Sequence, residues 1–137
     1  MQTCVELRGS ISVAHNPSFS PGWARVHGHD YVITVAICRD GYADVVVDAA
    51  QASERLRGVL AEMDGKYLAS PLEKPPVQPS DVYVVPCGVP GVSGECLARH
   101  IADLLDATWV RVCESGLGAP CFYFAKKILK TETRHLM

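Results

Sequence analysis

In the segment WARVHGHDYVITV, residues 23–35, two histidines flank a single glycine. His27 and His29 are two positions apart, so in an extended chain their imidazoles project to one face, and Gly28 leaves the position between them clear. Such a pair can offer two nitrogen lone pairs to one cation. A third imidazole, His15, closes the stretch CVELRGSISVAH, residues 4–15. If the two stretches pair through the loop between them, His15 lies beside His27 and His29. Three neutral imidazoles with an open fourth position describe a catalytic zinc site rather than a structural one, which makes Zn²⁺ the expected cofactor. The other two of the chain's five histidines fall elsewhere. His100 lies on a predicted helix beside Arg99 and His135 in the tail, and both are expected at the surface.

The elements that must position this triad follow from periodicity. Residues 4–15 alternate, with Val5, Leu7, Ile11, Val13 and His15 on one parity, as a half-buried strand does. Residues 16–26 carry two prolines, a glycine and two serines and read as a loop. A second strand is expected from His27 to Arg39, then a tight turn at Asp40-Gly41 and a third strand from Ala43 to Val47. Asp48 is placed to cap a helix whose apolar face holds Ala52, Leu56, Val59, Leu60 and Met63 and which ends near Asp64-Gly65. The proline-rich SPLEKPPVQPSD predicts a surface loop before a short strand, VYVVP. Ser93 is the expected cap of a second helix with Leu97, Ile101, Leu104 and Leu105 on its stripe. TWVRVCESG and PCFYFAKKIL predict two closing strands. The class is therefore α+β, an antiparallel β-sheet with two helices packed on one face. Alternation leaves Val32 and Ala36 opposite Ile33 and Val35, so the other sheet face is expected to be covered by a second subunit.

A chain of 137 residues with 48% hydrophobic and 20% charged residues and a formal charge of -2 is expected to form one domain, 1–137, and has no basic surface for nucleic acid. The N-terminal MQTCVELRGS lacks the basic and apolar parts of a secretory signal, and no apolar run is long enough to span a membrane. A cytoplasmic protein is expected, with no membrane partner. The six cysteines form no C-x-x-C pair, so buried free thiols are the expectation, with disulfides for a hyperthermophile source.

The ordered pieces SVAH, HGHDY, VVVDAAQ, SGECLA and VCES, spread over roughly residues 7–123, resemble the 6-pyruvoyltetrahydropterin synthase family, which includes the 6-carboxytetrahydropterin synthases. That resemblance implies the tunnelling fold, whose protomers close an oligomeric β-barrel as a homo-oligomer, trimer or hexamer. It implies that His15, His27 and His29 hold the zinc that meets the hydroxylated side chain of dihydroneopterin triphosphate, and that the activity is a lyase reaction on a small-molecule pterin. Glu114 of VCES matches a glutamate that accepts from the 2-amino and ring N–H groups of the pterin, a task suited to an ionised acceptor pair. Ser93 and Glu95 match the threonine and glutamate that open the second helix in relatives, and helix capping explains them equally well.

Two positions depart from the family pattern. The catalytic cysteine that stands four residues before the first histidine of H-G-H is here Trp23, and no cysteine occurs between Cys4 and Cys38. An indole there can stack on a flat heterocycle, pterin or purine-like, or can plug an oligomer interface. In EMDGKYL the relay aspartate is kept as Asp64, while the histidine after it has become Gly65. Loss of a positioned acid or base removes roughly 10²- to 10⁴-fold in rate, so the usual reaction needs substitutes, for which Asp64, Lys66, Tyr67, His100 and a zinc-bound water are the candidates. The same changes suit a non-catalytic zinc- and pterin-binding protein.

Overall fold

The computed structural model describes residues 1–126, so the expected strand continuation at 127–129 and His135 lie outside the described residues. Two long strands, β1 (Gln2–His15) and β2 (His27–Asp40), form the spine. They pair antiparallel along their whole length, from Gln2 opposite Asp40 to His15 opposite His27. This register puts the three histidines at one end of the ladder. The chain continues through α1 (Ala49–Met63), β3 (Tyr67–Ala69), β4 (Val82–Val84), α2 (Gly94–Leu105), β5 (Trp109–Glu114) and β6 (Cys121–Ala125). The six strands lie in the order β4-β3-β1-β2-β5-β6.

Both helices start where a side chain can satisfy their free N–H groups. The Asp48 carboxylate accepts from Ala50 and Gln51, and the Ser93 hydroxyl accepts from the N–H of Cys96, as their types require. Helix α1 ends at Asp64, with Gly65 at φ 77° continuing the chain, a left-handed conformation that glycine adopts without a Cβ clash. Ala52, Leu56, Leu60 and Met63 of α1 and Leu97, Ile101 and Leu105 of α2 are buried against Leu7, Ile11, Val13, Ile33, Val35, Val110 and Val112 of the sheet. The pairing register brings all these strand residues to one side of the sheet, so both helices cover one face. The other face carries Val32, 45% exposed, and Tyr123, 57% exposed, and no helix of the described residues covers it.

Several details differ from the periodicity reading. Residues 43–47 form no strand: Gly41 turns the chain at φ 72°, but Val46 meets the Arg39 side chain through its carbonyl rather than a neighbouring strand. Alternation is satisfied instead by burying Val46 alone and leaving Val45 75% exposed. Leu104 lies off the buried stripe of α2, at 43% exposed. The antiparallel core of β2, β1, β5 and β6 is as expected, but β3 and β4 add to it in parallel, which three-residue strands do not announce by pattern. His100 is not free at the surface; its Nε2 shares a hydrogen bond of 2.7 Å with the hydroxyl of Tyr83.

The cysteines also correct the expectation of free thiols. Cys4–Cys38, Cys87–Cys96 and Cys113–Cys121 are disulfides, and no free cysteine remains among the described residues. Two of the pairs are direct cross-strand neighbours, Cys4 opposite Cys38 and Cys113 opposite Cys121. Register, which sequence spacing does not carry, creates them. No helix among the described residues is long and apolar enough to cross a membrane.

Candidate metal centre

The end of the β1–β2 ladder delivers His15, His27 and His29 to the helix-covered face. One potential ligand atom from each lies within 4.8 Å of the others, and His15 Nε2 is 3.1 Å from His27 Nε2. His15 is 6% exposed, the other two are half-buried, and the cluster sits in a cavity of about 570 Å³.

The hydrogen bonds around the triad define what it can hold. His15 Nδ1 meets the carbonyl of Val92 at 2.8 Å, His27 Nδ1 the carbonyl of Arg25 at 2.9 Å, and His29 Nδ1 the carboxylate of Glu114 at 3.0 Å. A carbonyl or carboxylate can only accept, so each Nδ1 is assigned the proton and each Nε2 keeps its lone pair. Burial pushes the pKa of His15 down to about 4, with the neighbouring imidazoles adding to the effect, so it is neutral at ordinary pH. Burial lowers the pKa of His29 as well, against the opposing pull of the Glu114 carboxylate. Two bare nitrogens 3.1 Å apart repel unless a cation lies between their lone pairs. The donor set therefore fits a divalent metal of the zinc type, bound through three imidazoles whose orientations are fixed by their outer partners.

Glu114 lies opposite Tyr31 on β2, two residues from His29 and on the same face. It reaches His29 as a diagonal cross-strand neighbour. The hydroxyl of Tyr31 is held neutral, its pKa raised first by burial and then by that carboxylate. Ser93, Gly94 and Glu95 bring the start of α2 into the cavity wall, and residues 115–120 form the wall opposite. Gly94 is required there by close approach: a Cβ would meet the ring of Phe122. Trp23 lies at the rim, 57% exposed, its ring centroid 6.2 Å from that of His27 and its face under the Arg25 guanidinium.

Of the residues singled out by sequence, His15, His27, His29, Glu114, Ser93 and Trp23 all line this cavity. Asp64 does not. It stands exposed beside the edge of β1, where its carboxylate accepts the N–H of Ser12 at 2.8 Å. Lys66 and Tyr67 line a second, open cleft that shares His29 with the histidine cavity, and the Tyr67 hydroxyl donates to Glu73 at 2.6 Å. Val92 and Arg25, which hold two imidazoles through backbone carbonyls, carry no signal in side-chain type. Only the fold exposes their role.

The sequence profile described as 6-pyruvoyl tetrahydropterin synthase matches residues 5–116. No curated protein matches the sequence. Among solved structures, a catalytic-residue mutant of Plasmodium vivax 6-pyruvoyltetrahydropterin synthase is similar at a TM-score of 0.72 and 15% identity, covering 93% of this chain and 99% of that one. The Caenorhabditis elegans 6-pyruvoyl tetrahydropterin synthase is similar at a TM-score of 0.61 and 19% identity, covering 93% of this chain and 97% of that one. An uncharacterised protein of Wolinella succinogenes reaches a TM-score of 0.71 at 12% identity, covering 93% of this chain and 99% of that one. At these identities the likeness establishes the shared fold.

Proposed function

On the premise that the chain belongs to the 6-pyruvoyl tetrahydropterin synthase family, we propose that it is a zinc-dependent lyase-type protein acting on dihydroneopterin triphosphate or a related pterin. The observation that carries this reading is the convergence of three imidazoles and the Glu114 carboxylate in one cavity. Zinc bound there would supply Lewis acidity to hydroxyl groups of the ligand. The chain's own residues do the rest. Glu114 accepts from His29 and offers its carboxylate to N–H donors of a heterocycle, and Trp23 presents a flat apolar face at the rim. Ser93 holds the start of α2 against the cavity by capping it. Asp64 keeps its catalytic assignment only as a group brought to the cavity of a neighbouring copy, since it lines no part of its own. The exposed side chains on the helix-free sheet face suit such a homo-oligomer, trimer or hexamer. Placement in the cytoplasm belongs to the same reading, in an organism whose interior keeps disulfides.

A second reading has its own support. Trp23 occupies the place of the family cysteine, and Gly65, at the place of the histidine, takes φ 77°, a conformation that L side chains rarely adopt. The loop is thus shaped for glycine, which favours a non-catalytic protein that binds zinc and a pterin or purine.

The deciding experiment incubates zinc-loaded protein with dihydroneopterin triphosphate and follows the mixture by mass spectrometry, with His27→Ala as control. Conversion by the unaltered protein alone supports the lyase, and the product mass names the reaction. Retention without conversion supports the binding protein. Neither retention nor conversion removes the pterin assignment.

A further inference from the structure

Two of the three disulfides close the two segments that hold the histidine cluster. Cys87–Cys96 spans nine positions of sequence and Cys113–Cys121 spans eight. The first segment contains Val92, whose carbonyl receives the Nδ1–H of His15, together with Ser93, Gly94 and Glu95 of the cavity wall. The second contains Glu114, which receives the Nδ1–H of His29, and all of the opposite wall from Ser115 to Pro120. The third disulfide is different. Cys4–Cys38 bridges the ladder near its far end, eleven register steps from the pairing of His15 with His27.

Each closed segment joins a regular element to an irregular turn: the first runs through Gly91 into the start of α2, and the second leaves the end of β5 through the turn at 115–120. Gly91, Gly116 and Gly118 all sit at positive φ, and Leu117 at the tip of the second loop is fully exposed. A short cross-link removes much of the freedom such a segment would otherwise keep, whatever the balance of entropy and enthalpy in that effect. The acceptors of two imidazoles are thereby held in place before any ligand arrives.

We propose that the Cys87–Cys96 and Cys113–Cys121 disulfides are positioning groups for the histidine cluster, so that the thiol–disulfide state of the chain sets how tightly the cavity holds a metal. The proposal rests on the metal reading above for its functional meaning. A dithiol reductant transfers two electrons and two protons to each disulfide, giving two cysteine thiols while the reductant closes to its own cyclic disulfide. With the cross-links open, strand pairing still places Glu114 and burial still places Val92, but the turns beside them loosen, so the acceptors of His15 and His29 are held less firmly and the imidazoles converge less closely.

The test compares three double variants, Cys87→Ala/Cys96→Ala, Cys113→Ala/Cys121→Ala and Cys4→Ala/Cys38→Ala, which add no thiol able to bind metal. Imidazole ¹⁵N chemical shifts of the metal-free proteins report the tautomers directly, and competition with a chromophoric chelator gives zinc affinity. The first variant should mix the tautomers of His15, the second those of His29, and each should weaken zinc roughly 10- to 100-fold, the range seen for losing an outer partner of a ligand. The Cys4→Ala/Cys38→Ala protein should match the unaltered chain in both readouts. Equal effects in all three variants, or none in the first two, would overturn the proposal. If a variant does not fold, the unaltered protein treated with a dithiol and then reoxidised decides by the same shifts, which must change and return. Tautomers that respond as described in a protein that binds no zinc would sustain the positioning role and remove the zinc reading instead.

Discussion

Glu114 accepts the Nδ1–H of His29 at 3.0 Å from the neighbouring strand, and both side chains are only 18% exposed. One carboxylate thus fixes the orientation of an imidazole while its second oxygen stays available to the cavity. Replacement by glutamine removes the charge but keeps an acceptor of similar size. Glu114→Gln should fold normally and bind zinc roughly 10- to 100-fold more weakly, as expected when a histidine ligand loses a carboxylate partner. Competition titration against a chelator checks this. Unchanged affinity would show that the carboxylate serves the ligand alone.

Trp23 offers its ring at the rim without being buried, so its contribution should be to binding and not to folding. Trp23→Ala should leave thermal stability nearly unchanged and weaken a flat heterocyclic ligand by roughly two- to tenfold, the equivalent of about 0.5–1.5 kcal/mol of aromatic contact. Trp23→Phe should recover most of that loss. Fluorescence titration with a pterin reads both variants, and equal affinity across the three proteins would remove the stacking role.

Gly94 begins α2 where the helix passes over Phe122, leaving no room for a Cβ. The ring is pinned between strand and helix, so a methyl group must push the helix start outward. Gly94→Ala should cost about 1–3 kcal/mol, the usual range for overpacking. Denaturant midpoints measure it, and zinc affinity should fall in parallel because Ser93 and Val92 move with the helix start. A neutral substitution would mean that the wall yields freely.

His100 provides a pH test away from the metal centre. Its pKa lies below the ordinary 6.5 because burial disfavours the cation, Asp103 opposing and Arg99 reinforcing the shift on its own helix. Across the packing interface, the hydroxyl of Tyr83 is hydrogen-bonded to it, and Glu62 of α1 acts on that tyrosine. The unfolded chain therefore takes up the proton first. Stability contributed by neutral His100 is complete above about pH 6.5 and is lost as pH falls toward the depressed folded value. Comparing urea midpoints at about pH 7.5 and about pH 5.5, the unaltered protein should lose more stability than His100→Gln. Parallel losses would exclude a titrating His100.

Sequence by itself determined the parts of this protein that depend on near neighbours. The i, i+2 spacing placed His27 and His29 on one face, the parity of β1 put His15 on its apolar side, and side-chain type located Asp48 and Ser93 as caps. Tertiary structure decided what depends on register between distant segments. It turned six scattered cysteines into three cross-links, added β3 and β4 in parallel, and set Asp64 beside Ser12 instead of the cavity. It also chose the acceptors of His15 and His29, one a backbone carbonyl 77 residues away. The physical reason is that periodicity records which face of a strand or helix is apolar, whereas the partner of a polar atom is fixed only when the strands align and desolvation forces every buried donor to find an acceptor.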